Sequence, residues 1–489
     1  MLKKAFFTNS SGIMCSRVFG FLRDLYTAHI LGAGIYSDIF FIAFKFPNLF
    51  RRIFGEGAFT QSFLPSFIAS QKKGIFAIST LLIFASVLFG LSLLVWAFSG
   101  FFTKLLAYGF TEEMVALAAP IVVINFWYLE LVFIVTFLGT LLQYKNSFWV
   151  SAYNTALLNI CMISALYLSR DAQSLQIVYF LSYGVLCGGV AQILLHFYPL
   201  LRLGFFRLFS VGFRHMWRVY FVRAKMHWAD EGSKKVKHLA KQAKADIKMF
   251  FKQFFPAILG SSTAQIASFI DTMLASFLVS GSISYLYYAN RIFQLPLAVF
   301  AIAISTALFP MVAKAIKNHE EKRALKSMKK SFWFLFVMLW VCSIGGVMLK
   351  DEIIWLLFEG GSFHRSDTLA SANVFAMYMI GLLPFGLSRI FSLWLYAHQL
   401  QGRAAKISAI SLLFGVVCSL VLMHYFGASG LALAGSLSGM MLFVLSVKEF
   451  GLSRFWDIIA YAKGWVLLLA IGAIEVGILY VFLHFFHIN

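Results

Sequence analysis

Eight acidic or strongly basic side chains fall between Gly12 and Gly57, inside two segments that are otherwise apolar. They are Arg17, Arg23 and Asp24 in the first segment and Asp38, Lys45, Arg51, Arg52 and Glu56 in the second. A charge at the centre of a bilayer costs about 2.5–3.5 kcal/mol or more unless it faces water or a partner, so such positions mark a path for a polar solute. The arginines have an obvious chemistry: guanidinium keeps its charge and meets phosphate oxygens in a bidentate fork. The carboxylates could gate that path, pairing with the cations in one state and releasing them in another. Spacing supports a shared face. On a helix, Asp38, Lys45 and Arg52 are seven apart and fall on nearly one line, with Glu56 one turn beyond Arg52; Arg17 and Asp24 also share a face. The plainer alternative is a set of helix-end charges snorkelling to the headgroups. Arg23 and Asp24, in mid-segment, argue against it.

In the second half, Arg291 lies deep in an apolar segment that contains no acidic residue. With Arg17, Arg23, Arg51 and Arg52 it would make a cationic cavity suited to a diphosphate rather than to a neutral solute or a cation. Pairing with a helix C-terminal carbonyl is its alternative. Asp271 is an isolated carboxylate in an apolar segment, and binding Na⁺ or a proton and hydrogen bonding to Thr272 are equally open to it. The five cysteines all lie in apolar segments, the histidines do not cluster, and no metal site or cofactor is expected. No phosphate-loop, GxSxG or HExxH pattern appears. Transport would therefore draw on the membrane potential or on an H⁺ or Na⁺ gradient.

The elements that must hold these residues are membrane spans. The 489 residues are 61% hydrophobic and 12% charged, against about half and a quarter in a soluble domain, so the fold class is an all-α polytopic membrane protein. A span needs about 20 mostly apolar residues. That length predicts thirteen: 11–33, 37–68, 76–99, 115–144, 149–169, 174–200, 254–280, 284–316, 331–349, 369–398, 404–426, 428–448 and 463–486. Lys and Arg concentrate in every second connection, which places the N-terminus in the cytoplasm and the C-terminus outside. A net charge of +21 spread over loops, rather than one soluble domain, argues against a nucleic-acid partner. Lys3 and Lys4 precede an apolar run, but Arg17 and Arg23 interrupt it, unlike a cleaved leader.

The expected layout is an N-lobe over 1–201, a basic cytoplasmic linker over 202–252, a C-lobe over 253–450 and an additional C-terminal helix over 451–489. The linker holds thirteen basic residues against three acidic ones, the pattern of a helix on an anionic leaflet or of a solvated tether. Both lobes carry a second span with a prolyl break and a closing Phe/Pro motif: Phe46-Pro47 and Phe63-Leu64-Pro65, then Leu295-Pro296 and Phe309-Pro310. Two pseudo-repeated six-helix lobes around a central cavity would suit alternating access.

Several stretches resemble one family closely. They are Ser16-Arg17-Val18-Phe19-Gly20-Phe21-Leu22-Arg23-Asp24, Gly32-Ala33-Gly34 with Ser37-Asp38, the run from Phe44 to Phe59, Tyr287-Tyr288-Ala289-Asn290-Arg291, and Leu357 to Phe363. They resemble the MurJ (MviN) lipid II flippases of the MOP exporter superfamily. That resemblance implies a non-enzymatic flippase moving the undecaprenyl-diphosphate-linked disaccharide-pentapeptide across the bacterial inner membrane. It also implies that Arg17, Arg23, Arg51 and Arg291 line the cavity beside Asp24 and Asp38. Cell-wall synthesis proteins and membrane lipids would be its partners. Three departures stand out. The family has fourteen spans where thirteen are counted, the 207–250 insertion is long, and 404–426 lacks the Asp or Glu that a family sodium site would pair with Asp271. A flippase for another polyprenyl-diphosphate glycan, a lipid-modifying enzyme using Asp38 or Glu56 as base, and a scaffold are the competing readings; the enzyme lacks a DDxxD-type cluster.

Overall fold

Every regular element in the computed structural model is a helix, and the one extended pairing among the described residues is an isolated bridge between Gly360 and Phe363. The structure describes the backbone of residues 2–55, 58–217 and 231–485, with the side chains at 1–10, 13, 52–55, 231–237, 239, 259–264 and 267 outside the description. Glu56 and the end of the chain at Asn489 therefore lie outside the described residues, as does the side chain of Arg52.

Nine helical stretches among the described residues are long and apolar enough to cross a membrane. They take in ten of the thirteen expected spans, because one of them, Gln401–Phe450, holds two. The other three expected spans are also helical, but charged or polar residues lower their hydropathy. Those are the segments with Arg17, Arg23 and Asp24, with Asp38 to Arg52, and with Asp271.

The chain divides into two units, Met1–Thr27 with Ile39–Ile266, and Ala28–Asp38 with Ala267–Asn489. The first contains most of α1 (Leu2–Leu31) and α2 (Ile35–Gly55), then α3 (Ala58–Ala69), α4 (Lys73–Ala97), α5 (Ser99–Leu106), α6 (Glu112–Tyr144), α7 (Trp149–Leu168), α8 (Ser174–Arg202) and α9 (Phe205–Trp217). It ends in the first part of α10 (Glu231–Ala275), a 45-residue helix in which the basic stretch and the expected seventh span are continuous. Between helices in lipid the hydrophobic effect offers little, so close packing must hold them. Here it is aromatic. Phe59, Phe63 and Phe67 repeat every four residues on α3, all fully buried; between them Phe59 and Phe63 meet Phe133, Phe137, Phe250 and Phe254 with ring centroids 5.4–6.5 Å apart, and Phe67 meets Tyr144 at 5.1 Å. Such pairs add about 0.5–1.5 kcal/mol each beyond burial.

The second unit contains the rest of α10, α11 (Ser282–Pro296), a π-helical turn (Leu297–Ile302), α12 (Ala303–Lys317), α13 (Glu321–Met348), α14 (Lys350–Phe358), α15 (Arg365–Ile380), α16 (Leu382–Ala397), α17 (Gln401–Phe450), α18 (Leu452–Ile459) and α19 (Ala462–Phe485). The π turn begins at Pro296, where a missing N–H interrupts the ladder. The expected span 369–398 is two helices, α15 and α16, joined at Gly381. In α17 the break between two spans is Gly427, whose φ of 55° and ψ of −132° suit glycine and few other residues. The last helix, α19, seats Trp465 edge-on against Trp333 of α13 at 5.4 Å.

Candidate functional site

The first-unit site is built where α1 closes on α7. Gly12 leaves room for Ala152, Ser16 Oγ donates to the Ala152 carbonyl at 3.1 Å, and Asn159 Nδ2 donates to the Ser16 carbonyl at 3.3 Å. This register sets Asn159 opposite Arg23, whose Nη1 donates to Asn159 Oδ1 at 3.0 Å. Nε and Nη2 of Arg23 donate to Asp24 Oδ1 at 3.0 and 2.5 Å, and Thr27 Oγ1 donates to the Arg23 carbonyl at 2.8 Å. Arg23 and Asp24 are 6% and 1% exposed, a buried ion pair whose remaining guanidinium nitrogen, Nη1, is met by the Asn159 amide oxygen and, at 3.8 Å, by the Met162 sulfur. Taking one partner from such a pair strands the other in a low dielectric, at a cost of about 3–5 kcal/mol.

The remaining charges of this unit are arranged differently. Arg17 is exposed on α1, and Lys45 on α2 is half-buried. Arg51, also half-buried, donates from Nε and Nη2 to Asn48 Oδ1 at 3.2 and 3.1 Å, one turn back on α2. Its guanidinium is thus steadied by a neutral amide.

Asp38 belongs to the second unit. It is 2% exposed, and its carboxylate accepts from Gly281 N at 2.7 Å, Ser284 N at 2.8 Å and Ser284 Oγ at 2.6 Å. These are the first amides of α11, so Asp38 caps that helix from outside the helix's own sequence and its charge sits at the positive end of the helix dipole. The one-line stripe of Asp38, Lys45 and Arg52 is therefore not the relation that engages Asp38. Around it, Tyr288 Oη donates to the Gly32 carbonyl at 3.3 Å, and Ser362 N donates to the His29 carbonyl at 2.8 Å. The segment 28–38 is fastened in this way to α11 and to the turn before α15. That turn is the Glu359-Gly360-Gly361 stretch, with φ of 143° and 58° at its glycines.

Arg291, half-buried on α11, lies over the ring of Tyr287 with 5.6 Å between guanidinium carbon and centroid. Nearby on α11, Tyr285 Oη donates to Asp367 Oδ1 at 3.0 Å, while Asp367 Oδ2 accepts from His364 N at 3.0 Å and closes the first turn of α15. Asp271 is half-buried near the end of α10, and the Thr272 hydroxyl turns back to the Ser268 carbonyl at 3.0 Å. No group of three or more metal-binding side chains occurs among the described residues.

Sequence reasoning passed over three participants, and a further arginine, Arg389, in an apolar segment. Asn159 was visible only as an isolated amide in an apolar segment, and Asn48 sat within a quoted motif without a role. Ser284 gave no sign, because the acid it serves lies 246 residues away. Arg389, on α16, is a second arginine within an apolar stretch of this half.

Within the first unit, Arg23 offers a guanidinium whose single carboxylate partner a stronger, multidentate anion could displace. The match to known proteins is direct. Residues 27–488 fit the family model described as Lipid II flippase MurJ. The chain is 57% identical over 455 residues, 93% of its length, to a probable lipid II flippase MurJ of Helicobacter pylori, covering 96% of that protein.

The chain belongs to the MurJ family.

More distant MurJ relatives include the probable lipid II flippase of Haemophilus influenzae, 30% identical over 87% of this chain and 81% of that protein. Among solved structures, a lipid II flippase MurJ in an inward closed conformation superposes with a TM-score of 0.74 at 22% identity, over 98% of this chain and 99% of that one. A multidrug resistance MATE transporter of the MOP superfamily in an inward-facing conformation gives a TM-score of 0.67 at 12% identity, over 94% and 99%. These two likenesses show the shared fold. The MurJ resemblance read from the N-terminal motif is borne out across nearly the whole chain.

Proposed function

We propose that this multi-pass membrane protein is a lipid II flippase and performs no chemical reaction on its substrate. The observation that carries this reading is the 57% identity to a MurJ over 93% of the chain. The buried Arg23, Asp24 and Asn159 constellation gives it a mechanism. Lipid II presents a diphosphate between an undecaprenyl tail and a disaccharide-pentapeptide. In our reading the diphosphate competes with Asp24 for Arg23, a strong multidentate anion replacing a single carboxylate oxygen. Arg51, steadied by Asn48, and Arg291, lying over Tyr287, supply further positive charge, with Arg17 and Arg52 completing the set. Asp24 and Glu56 act as exchange partners that restore neutrality when the headgroup leaves, and Lys45 pairs with a carboxylate in the same gate. Asp38 fixes the start of α11 and hence the position of Arg291.

The finer points follow from the same reading. The N-terminus lies in the cytoplasm, as the Lys and Arg bias of alternate connections indicates, and thirteen spans bring the C-terminus out. The functional layout is an N-lobe over 1–201, a basic linker over 202–252, a C-lobe over 253–450 and a terminal helix over 451–489 that alternate access to the headgroup. The driving force is the membrane potential or an H⁺ or Na⁺ gradient, for which Asp271 is the candidate ion ligand. Cell-wall synthesis proteins are the partners that would consume the flipped precursor.

The test is a leaflet-resolved assay of labelled lipid II in flippase-depleted cells carrying this gene. The expected result is restored outer-leaflet lipid II with the native chain and none with Arg23→Ala or Arg291→Ala at equal membrane abundance. Unchanged inner-leaflet accumulation with the native chain would refute the assignment.

A further inference from the structure

A basic pocket at the α3–α4 turn has none of Arg17, Arg23 and Arg51 in its lining. Helix α9 forms one wall, and at about 100° per residue it carries three distinct stripes. Phe205, Gly212 and Met216 are buried. Gly212 and Gly74 meet backbone to backbone, a Cβ on either having no room, so α9 lies hard against the start of α4. The second stripe is Phe206, Phe213 and Trp217, spaced i, i+7 and i+11. Phe213 and Trp217 are 52% and 49% exposed. The third is Arg207 and Arg214, both exposed and seven apart.

Beside the cationic stripe a cavity of about 450 Å³ is lined by Lys72, Lys73, Arg207, His215, Leu208 and Val211. Lys73 Nζ is held in place by the Ile68 and Ser70 carbonyls at 3.3 and 3.1 Å. The neighbouring acid, Asp246, accepts from Ser70 Oγ at 2.7 Å. Lys72 and Arg207 are exposed. Among the described residues neither the Lys72 nor the Arg207 side chain has an ion-pair partner, and two such cations lining one cavity are a site for an anion. An aromatic stripe along the same helix, next to the cations, is what a helix lying in the headgroup plane presents to acyl chains.

We infer that this pocket binds the phosphate of an anionic phospholipid from the surrounding leaflet, with Lys72 and Arg207 on the headgroup and Phe213 and Trp217 against its chains. Phosphate recognition alone would fit free inorganic phosphate equally well; the exposed aromatic stripe favours the lipid.

The experiment uses the full chain in a neutral detergent and brominated phosphatidylglycerol or brominated phosphatidylcholine as quencher. The signal is the part of the tryptophan quenching that disappears in Trp217→Phe. Phosphatidylglycerol should quench at far lower concentration than phosphatidylcholine. The double variant Lys72→Gln with Arg207→Gln should weaken phosphatidylglycerol about thirtyfold, at about fivefold per cation near a headgroup. Phe213→Ser, which keeps every charge, should also weaken the lipid several-fold. If the double variant does not fold, Arg207→Gln with Arg214→Gln on the exposed face should weaken the lipid in the same direction. Equal quenching by the two lipids, or affinity untouched by the charge variants or by Phe213→Ser, would overturn the inference. So would displacement of the lipid by millimolar inorganic phosphate, which would identify a free-phosphate site.

Discussion

The two units neutralise intramembrane charge in different ways. In the first, charge answers charge: Arg23 is closed by Asp24 beside it and by the Asn159 amide across from α7. In the second, the backbone does the work at Asp38. Asp38 is satisfied by two amides and a hydroxyl at the start of α11, and Arg291 lies over Tyr287. The difference teaches which charge is exchangeable. A carboxylate on a guanidinium can be traded for another anion at small net cost, whereas a carboxylate locked on a helix N-terminus has no substitute among lipid groups and serves as a fixed joint. On the function proposed above, Arg23 is where substrate competes, and Asp38 is where geometry is held.

The comparison can be broken most severely at Arg23. Arg23→Ala leaves Asp24 buried without its cation and should cost about 3–5 kcal/mol of stability, seen as a large fall in thermal midpoint in detergent. Adding Asp24→Asn should recover much of the stability but none of the transport. A double variant as unstable as the single would mean the pair is not the source of the loss. Asp38→Ala comes next, at about 0.5–2 kcal/mol for a lost cap, with Asp38→Asn largely retaining stability because an amide oxygen can still accept from Gly281 or Ser284. Equal damage from both would show that charge, rather than acceptance, is what α11 needs.

How much of this could be read beforehand follows from the same contrast. Composition and apolar run length gave the all-helical membrane class, and the charged motif gave Arg23 and Asp24, because their surroundings are local in sequence. Helical spacing also put Asp38 in line with Lys45 and Arg52, but spacing describes a single helix, and the partners of Asp38 lie 243 and 246 residues further on. Asn159 is hidden for the same reason. The break at Gly427 is legible, since separate spans 404–426 and 428–448 are expected on either side of it, whereas the break at Gly381 falls inside the single expected span 369–398 and only backbone geometry reveals it.

Finer changes sharpen the comparison. Arg51→Lys keeps the charge and loses the planar fork, so lipid II flipping should fall while stability stays within about 0.5 kcal/mol. Full activity would mean that Arg51 acts as a point charge. Tyr287→Leu removes the ring beneath Arg291 and should lower stability by only about 0.5–1 kcal/mol, read as a shift of a few degrees in the thermal midpoint. A shift as large as that of Arg23→Ala would mean the second unit depends on its cation as the first depends on its ion pair.

The most direct measurement is the affinity of the purified chain for lipid II together with its flipping rate, for wild type and Asp24→Asn. With its resident rival reduced to an amide, Arg23 should hold the diphosphate more tightly and release it more slowly, so affinity rises while the flipping rate falls. Affinity and rate both unchanged in Asp24→Asn would contradict the exchange of Asp24 for diphosphate on Arg23.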